Sequence, residues 1–256
     1  QRYPVLYLHD GQNVFDTSDP MAHGGWQVDR ALAVLIPQRV VRPTIIVAVW
    51  NSGADRFRDY GPQAALQTLP EAVRLKVPGS SSDPADFSPR ADAYLRCLVD
   101  ELKPAIDARL RTRPGRDDTV VMGSSMGGVV SLYALCRYPG VFGAAGCMST
   151  HWPLTIRPEW LTPTVDPVVE RVAESYRAWL ATNLPIAGTH RLYFDHGDQG
   201  LDALYPPHQA KVDTLVAARG YRRDVDWVSR AFPGTDHHER DWRARLDTPL
   251  RFLLSA

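Results

Sequence analysis

Short apolar runs alternate with amphipathic segments along most of this chain, and this alternation restricts its fold more than any other feature. Six apolar runs have the length of buried strands: 3–8, 44–50, 119–122, 143–148, 191–194 and 224–228. Five other segments place apolar residues at helical spacing: 27–35, 88–110, 126–137, 207–218 and 241–254. Runs that are apolar on both faces are typical of parallel strands covered by helices. We therefore predict an α/β fold with a mostly parallel central sheet and helices on both faces.

A chain of 256 residues, of which 44% are hydrophobic, can build one large core, so we predict a single domain over 1–256. Residues 77–92 are rich in Ser, Pro and Asp and indicate a surface loop. Residues 150–189 are too long for a simple connection and predict a small helical cap over one edge of the sheet. Pro104 is expected to kink or restart the helix around it. Because the chain enters a strand almost at once, we expect that amino-terminal strands of the domain, and any export signal, have been trimmed.

The composition argues against several classes of function. The formal net charge is zero, so nothing draws the molecule as a whole to nucleic acid or to an anionic membrane. Cys97, Cys136 and Cys147 are an odd number without C-x-x-C spacing, as is typical of free core thiols. No apolar run approaches the roughly 20 residues of a membrane helix. We expect neither a nucleic acid nor a membrane partner, and these observations leave the compartment open.

The stretch Gly123-Ser124-Ser125-Met126-Gly127 lies directly after a predicted strand and directly before a predicted helix. It matches the G-x-S-x-G pattern of a nucleophile elbow, in which a serine occupies a strained strand-to-helix turn. Glycine two residues before and two residues after the serine removes side chains that would collide with neighbouring backbone. We therefore predict Ser125 as a nucleophile and the backbone N–H of Met126 as an oxyanion donor at the helix N-terminus.

A serine hydroxyl is a poor nucleophile near neutral pH, so it needs a base within hydrogen-bond reach and a carboxylate that orients the base. Candidate bases follow the last predicted strand, at His237 and His238. Candidate acids follow the preceding strand, at Asp195, Asp198 and Asp202. Adjacent histidines on a turn rarely bind one ion together and no third ligand is suggested, so we predict no metal site.

Four stretches resemble the esterase family of α/β-hydrolases that includes esterase D-like, feruloyl, acetylxylan and enterochelin esterase-like enzymes: "YPVLYLHDGQNVFD", "GSSMGG", "YFDHGDQGLDALYPPHQ" and "PGTDHHERDWRARL". The resemblance implies an α/β-hydrolase fold, in which acid and histidine follow the nucleophile in the order found here. The motif G-x-x-H-x-E-x-x-W of relatives falls on 234–242 and selects His237 as the base. The resemblance favours Asp202 as the acid, with Asp198 as the alternative.

The same fold provides a second oxyanion donor after the first strand of this chain, which the resemblance assigns to the backbone N–H of Gln12. A tight turn capped by Asp10 is compatible with that geometry. Residues that leave two strands at their carboxyl ends are expected to bind substrate there: Trp50, Asn51, Arg56, His151 and Trp152. Each tryptophan can instead pack in the core, and Arg56 can instead pair with Asp59.

These observations together predict a serine carboxylic-ester hydrolase that acts through an acyl-enzyme and needs no cofactor. Tryptophans at the rim suit an aryl acyl group or a sugar ring, which indicates an acetyl, feruloyl or similar ester of a sugar or small alcohol as the substrate. Two alternatives stay open. The same triad can serve an acyltransferase, or the fold can be a catalytically inactive ligand-binding protein.

Overall fold

A six-stranded, entirely parallel sheet forms the centre of the molecule. The computed structural model describes residues 1–16, 18, 24–74, 88–155 and 166–255. The strands are β1 (Val5–His9), β2 (Ile45–Val49), β3 (Thr119–Ser124), β4 (Ala144–Met148), β5 (Arg191–His196) and β6 (Trp227–Ala231). Their order across the sheet is β2-β1-β3-β4-β5-β6. The predicted parallel sheet is therefore confirmed.

This strand order creates one position where the direction of winding reverses. The chain runs outward from β1 to the edge strand β2, then returns to place β3 on the other side of β1 and continues through β4, β5 and β6. Ligands of open parallel sheets bind beyond the carboxyl ends of the strands at such a reversal. The reversal lies between β1 and β3, which end at His9 and Ser124.

Helices cover both faces of the sheet, as predicted. The described helices are α1 (Val28–Leu35), α2 (Arg56–Tyr60), α3 (Gln63–Leu66), α4 (Glu71–Arg74), α5 (Ala91–Arg96), α6 (Lys103–Arg109), α7 (Met126–Arg137), α8 (Pro167–Asn183), α9 (Pro206–Ala218), α10 (Glu239–Arg245) and α11 (Asp247–Leu253). Helices α1, α10 and α11 contribute to one buried cluster with Leu6 and Leu8. The other helices pack on the opposite face with Val5 and Tyr7. Neighbouring residues of β1 thus face different cores, because side chains alternate along a strand.

Several predicted boundaries differ from the observed ones for local reasons. The helix predicted over 88–110 is divided by a π-helical segment, Cys97–Leu102, and resumes in α6 with Pro104 near its start, where the missing N–H of proline is tolerated. The strand predicted over 224–228 begins only at Trp227, since 222–226 form a turn. The segment 51–62, which follows β2, contains α2. Cys97 is exposed rather than in the core.

The described part of the predicted cap over 150–189 is mostly α8. Asp166 caps this helix by accepting a 2.7 Å hydrogen bond from the backbone N–H of Val168, and Pro167 occupies its first position. Helix α8 packs against α3, α7 and α9. Residues 156–165 of this prediction, and 77–87 of the predicted surface loop, lie outside the described residues. In the described part of the chain, no helix is long and apolar enough to cross a membrane.

Candidate active site

Ser125 occupies a strained turn between β3 and α7. Its backbone has φ 58° and ψ −124°, a conformation that is unfavourable for any residue with a side chain. A Cβ atom at Gly123 would lie 2.7 Å from the backbone carbon of Gly127, so the turn requires glycine there. The N–H of Ser125 donates to the carbonyl of Met148 at 2.9 Å and ties the turn to the end of β4. The local geometry is that of the predicted nucleophile elbow.

His237 and Asp202 form a tight pair although they are separated along the chain. Nδ1 of His237 lies 2.6 Å from Oδ1 of Asp202, which is fully buried. Burial alone raises the pKa of Asp202, but hydrogen bonds from His237, Ser149 and the amide of Gly197 outweigh it and hold that pKa below its ordinary value. The carboxylate is therefore ionised and keeps the proton of His237 on Nδ1. Nε2 is left as the basic nitrogen.

Ser125 and His237 line the same cavity, which has a volume of about 300 Å³. The lining residues are Asp10, Asn13, Trp26, Asn51, Arg56, Ser124, Ser125, His237, Glu239 and Trp242. The imidazole of His237 makes T-shaped contacts with two aromatic rings, with centroid distances of 5.0 Å to Trp242 and 5.7 Å to Tyr205. This packing restricts the ring plane, and Asp202 sets which ring nitrogen faces the protein interior.

The other candidate acids and the other candidate base have different partners. Asp198 is exposed and accepts a 2.7 Å hydrogen bond from the N–H of Gly234. Asp195 is buried and forms an ion pair with Arg245, while burial raises its pKa. The imidazole of His238 accepts from the N–H of Arg240 and caps α10. Of the alternatives left open by the sequence, the structure thus brings together Asp202 and His237.

Two residues that sequence analysis missed support the Asp202 carboxylate. Oγ of Ser149 accepts from Nε1 of Trp242 at 2.9 Å and from Arg245 at 2.7 Å. Its own proton therefore points to Oδ2 of Asp202, 2.5 Å away. Arg245 also lies 3.0 Å from Asp195 and 3.7 Å from Asp202, so one buried cation serves two buried carboxylates. The position of Ser149 directly after β4 was the available sequence signal.

The first turn after β1 closely approaches the neighbouring strand. Asp10 has a left-handed backbone conformation, and a Cβ atom at Gly11 would lie 2.7 Å from the backbone carbon of Ala48. Gln12 follows in this turn and is half-buried. Met126 is the first residue of α7, where the backbone N–H has no acceptor within the helix. The oxyanion roles of Gln12 and Met126 stay predictions.

Arg56 and Asn51 line the cavity, but both bind the protein itself. Arg56 forms two hydrogen bonds with Asp10, of 2.6 and 2.7 Å, and the side-chain amide of Asn51 donates to the same carboxylate at 2.7 Å. The alternative pairing of Arg56 with Asp59 is not the one observed, since Asp59 pairs with Arg90. The charge of Arg56 is therefore largely compensated before any substrate enters.

The other three predicted substrate contacts are absent from the set of residues that line the described cavity. Trp50 is 72% exposed and lies against Gly11. Trp152 is 2% exposed, donates to Gln209 and packs on the ring of Phe194, so its place is in the core. These placements follow from tertiary packing, which the order of residues after a strand does not specify.

His151 is also buried, and its hydrogen bonds fix its tautomer. Nε2 faces the carbonyl of Thr155 at 2.6 Å and therefore carries the proton, whereas Nδ1 accepts from the hydroxyl of Tyr205 at 2.8 Å. Burial lowers the pKa of His151 to about 3, so the ring is neutral. The oxygen of Tyr205 also lies 3.5 Å from Nδ1 of His237. His151 is thus linked to His237 through the hydroxyl of Tyr205.

Similarity to solved structures places this architecture in the α/β-hydrolase fold. An enterobactin esterase, FES from Shigella flexneri, superimposes with a TM-score of 0.66 at 19% sequence identity, over 98% of this chain and 52% of that chain. In the described residues, no group of three His, Cys, Asp or Glu side chains is arranged to hold a metal ion.

The family is shown by the sequence itself. The sequence model of the "Putative esterase" family matches residues 1–253, and the chain belongs to that family. A relative from Xylanibacter ruminicola, endo-1,4-beta-xylanase/feruloyl esterase, is 27% identical over 61% of this chain and 18% of its own length. Ferri-bacillibactin esterase BesA of Bacillus subtilis is 27% identical over 59% of this chain and 49% of its own length. The chain thus matches about half, or less, of the length of these relatives.

Proposed function

We propose that this chain is a serine carboxylic-ester hydrolase that acts through an acyl-enzyme. The observation that carries the proposal is a strained serine and a carboxylate-bound imidazole that line one cavity at the carboxyl end of a parallel sheet. Membership in an esterase family supports the same chemistry. No step of this chemistry requires a cofactor.

The reaction follows from the roles that the geometry allows. Oγ of Ser125 attacks the ester carbonyl while Nε2 of His237 takes its proton, and Asp202 stabilises the imidazolium that forms. The amides of Gln12 and Met126 donate to the tetrahedral oxyanion. The C–O bond then breaks, and Nε2 returns the proton to the leaving alcohol. A water, deprotonated by the same nitrogen, releases the acid and restores the free serine.

The cavity supports a substrate with a small or planar acyl group. Its volume of about 300 Å³ is at the lower end of the range for small-molecule sites. The rings of Trp26 and Trp242 lie 5.9 Å apart at its wall and offer apolar surface. Acetyl, feruloyl or similar esters of a sugar or small alcohol match these features, and one relative named above is a feruloyl esterase.

A panel of p-nitrophenyl, feruloyl and acetyl-sugar esters, assayed with the native protein and Ser125→Ala, tests the proposal. We expect hydrolysis of at least one class and a loss of about 10⁵–10⁶ in kcat for the variant. Unchanged thermal unfolding will show that the variant is folded. A folded Ser125→Ala protein with a near-native rate would contradict the proposal. Product analysis with added alcohols distinguishes hydrolysis from acyl transfer, because an acyltransferase forms the new ester in preference to the free acid.

A further inference from the structure

A second carboxylate, that of Glu239, lines the cavity beside Ser125 and His237. Glu239 is the first residue of α10 and is half-buried. Among the described residues, its hydrogen-bond donor is the side-chain amide of Asn13, at 3.4 Å from Oε1. A carboxylate can accept about four hydrogen bonds, so the described residues leave most of the acceptor capacity of Glu239 unused. The catalytic steps proposed above give this group no task.

Glu239 also determines the net charge of the cavity wall. The charged groups among the described lining residues are Asp10, Arg56 and Glu239 when His237 is neutral. Asp10 and Arg56 compensate each other through their two hydrogen bonds. The remaining charge is the negative charge of Glu239, and the buried carboxylate of Asp202 behind His237 adds to the field in the same direction.

We propose that Glu239 is a specificity-determining residue, which accepts a hydrogen bond from a hydroxyl or ammonium group of the ester and disfavours esters with a free carboxylate. The inference rests on the proposed esterase function. A half-buried carboxylate loses part of its hydration, and a substrate donor restores the lost hydrogen bonds. A carboxylate carried by the ester into the same cavity is repelled by the like charge of Glu239, and the dielectric screening there is reduced. The substrate class is therefore a neutral, hydroxyl-bearing ester or a cationic one.

Two matched substrate pairs with Glu239→Gln test this role, because glutamine keeps the shape and removes the charge. Mono-p-nitrophenyl succinate and p-nitrophenyl butyrate differ in a charge on the acyl side. 2-(Dimethylamino)ethyl acetate, whose protonated amine carries an N–H, and 3-methylbutyl acetate differ in a charged hydrogen-bond donor on the alcohol side. Glu101→Gln, which removes the same charge from an exposed position outside the cavity, is the control.

We expect the native protein to favour the neutral member of the first pair and the cationic member of the second in kcat/KM. Glu239→Gln should reduce at least one of these preferences about tenfold, equivalent to about 1.4 kcal/mol. Glu239→Lys should reduce the same preference further, and Glu101→Gln should leave both kcat/KM ratios unchanged. A shift of threefold or more in the predicted direction supports the role, and a smaller or opposite shift overturns it. Absence of activity on all four esters overturns this inference, and the esterase function fails with it only if the panel of p-nitrophenyl, feruloyl and acetyl-sugar esters is also not hydrolysed. An active protein with unchanged ratios rejects the inference alone.

Discussion

Replacing Asp202 by asparagine should nearly abolish activity while the protein stays folded. Oδ2 of Asp202 accepts hydrogen bonds from two donors, the hydroxyl of Ser149 at 2.5 Å and the amide of Gly197 at 2.7 Å. In Asp202→Asn, only the amide oxygen can face those donors. The new NH₂ group must then face Nδ1 of His237, which becomes an acceptor. The proton of His237 moves to Nε2, the nitrogen that has to accept the proton of Ser125.

The magnitude follows from this tautomer change. An NH₂ group turned toward Gly197 instead would leave a buried N–H without an acceptor, at a cost of about 1–3 kcal/mol, so the unproductive orientation predominates. Loss of the correct tautomer in a serine triad lowers kcat by about 10⁴-fold, which corresponds to roughly 5 kcal/mol in the activation barrier. KM should change little, because Asp202 does not line the cavity.

The assay is steady-state hydrolysis of p-nitrophenyl acetate, corrected for the uncatalysed rate. Asp198→Asn is the matched control. Sequence analysis left Asp198 open as the alternative partner of His237, and the structure places it at the exposed surface. We expect near-native kcat for that control. A kcat above one tenth of native for Asp202→Asn, or an equally large loss for Asp198→Asn, would refute the reasoning.

Three further predictions concern stability. Because burial lowers the pKa of His151 to about 3 and those of His9 and His208 to about 4, the unfolded chain binds more protons than the folded chain as the pH falls from about 6.5 to about 4. The free energy of unfolding should therefore fall on acidification, by up to roughly 1.4 kcal/mol per pH unit for each of these histidines, and equal values from denaturant melts at pH 7 and 5 would contradict this. Gly123→Ala should lower the free energy of unfolding, measured in urea, by about 1–3 kcal/mol, because the new Cβ meets the backbone of Gly127. A variant as stable as the native protein would contradict this close contact. Ser149→Ala should lower kcat, and it should lower the free energy of unfolding by about 1–3 kcal/mol because it leaves buried partners unpaired. A change in neither quantity would show that the hydrogen bond from Ser149 to Asp202 is unimportant.

The sheet and the elbow could be predicted because their signals are local. Apolar runs and helical spacing lie within single elements, and the glycines around Ser125 answer a steric conflict within five residues of chain. The resemblance to known esterases added the pairing of His237 with Asp202, which residue order alone left open among several acids.

The support of the site could not be predicted, because it depends on contacts between remote segments. Trp242 reaches Ser149 across 93 positions of sequence, and Arg245 reaches it across 96. Arg56 binds Asp10, 46 residues away, in preference to the nearby Asp59. Trp50 and Trp152 both follow a strand, and this position does not reveal that Trp152 is buried in the core while Trp50 is exposed to solvent. Their burial depends on how the helices pack.

The most direct test of the account is to identify the residue that a fluorophosphonate modifies. The native protein, treated with the reagent and analysed by intact mass and peptide mapping, should gain one phosphonyl group on Ser125 as its ester hydrolysis is lost. Ser125→Ala should gain none. Modification of another residue, or full hydrolysis by a protein that is phosphonylated on Ser125, would contradict the claim that this serine is the nucleophile.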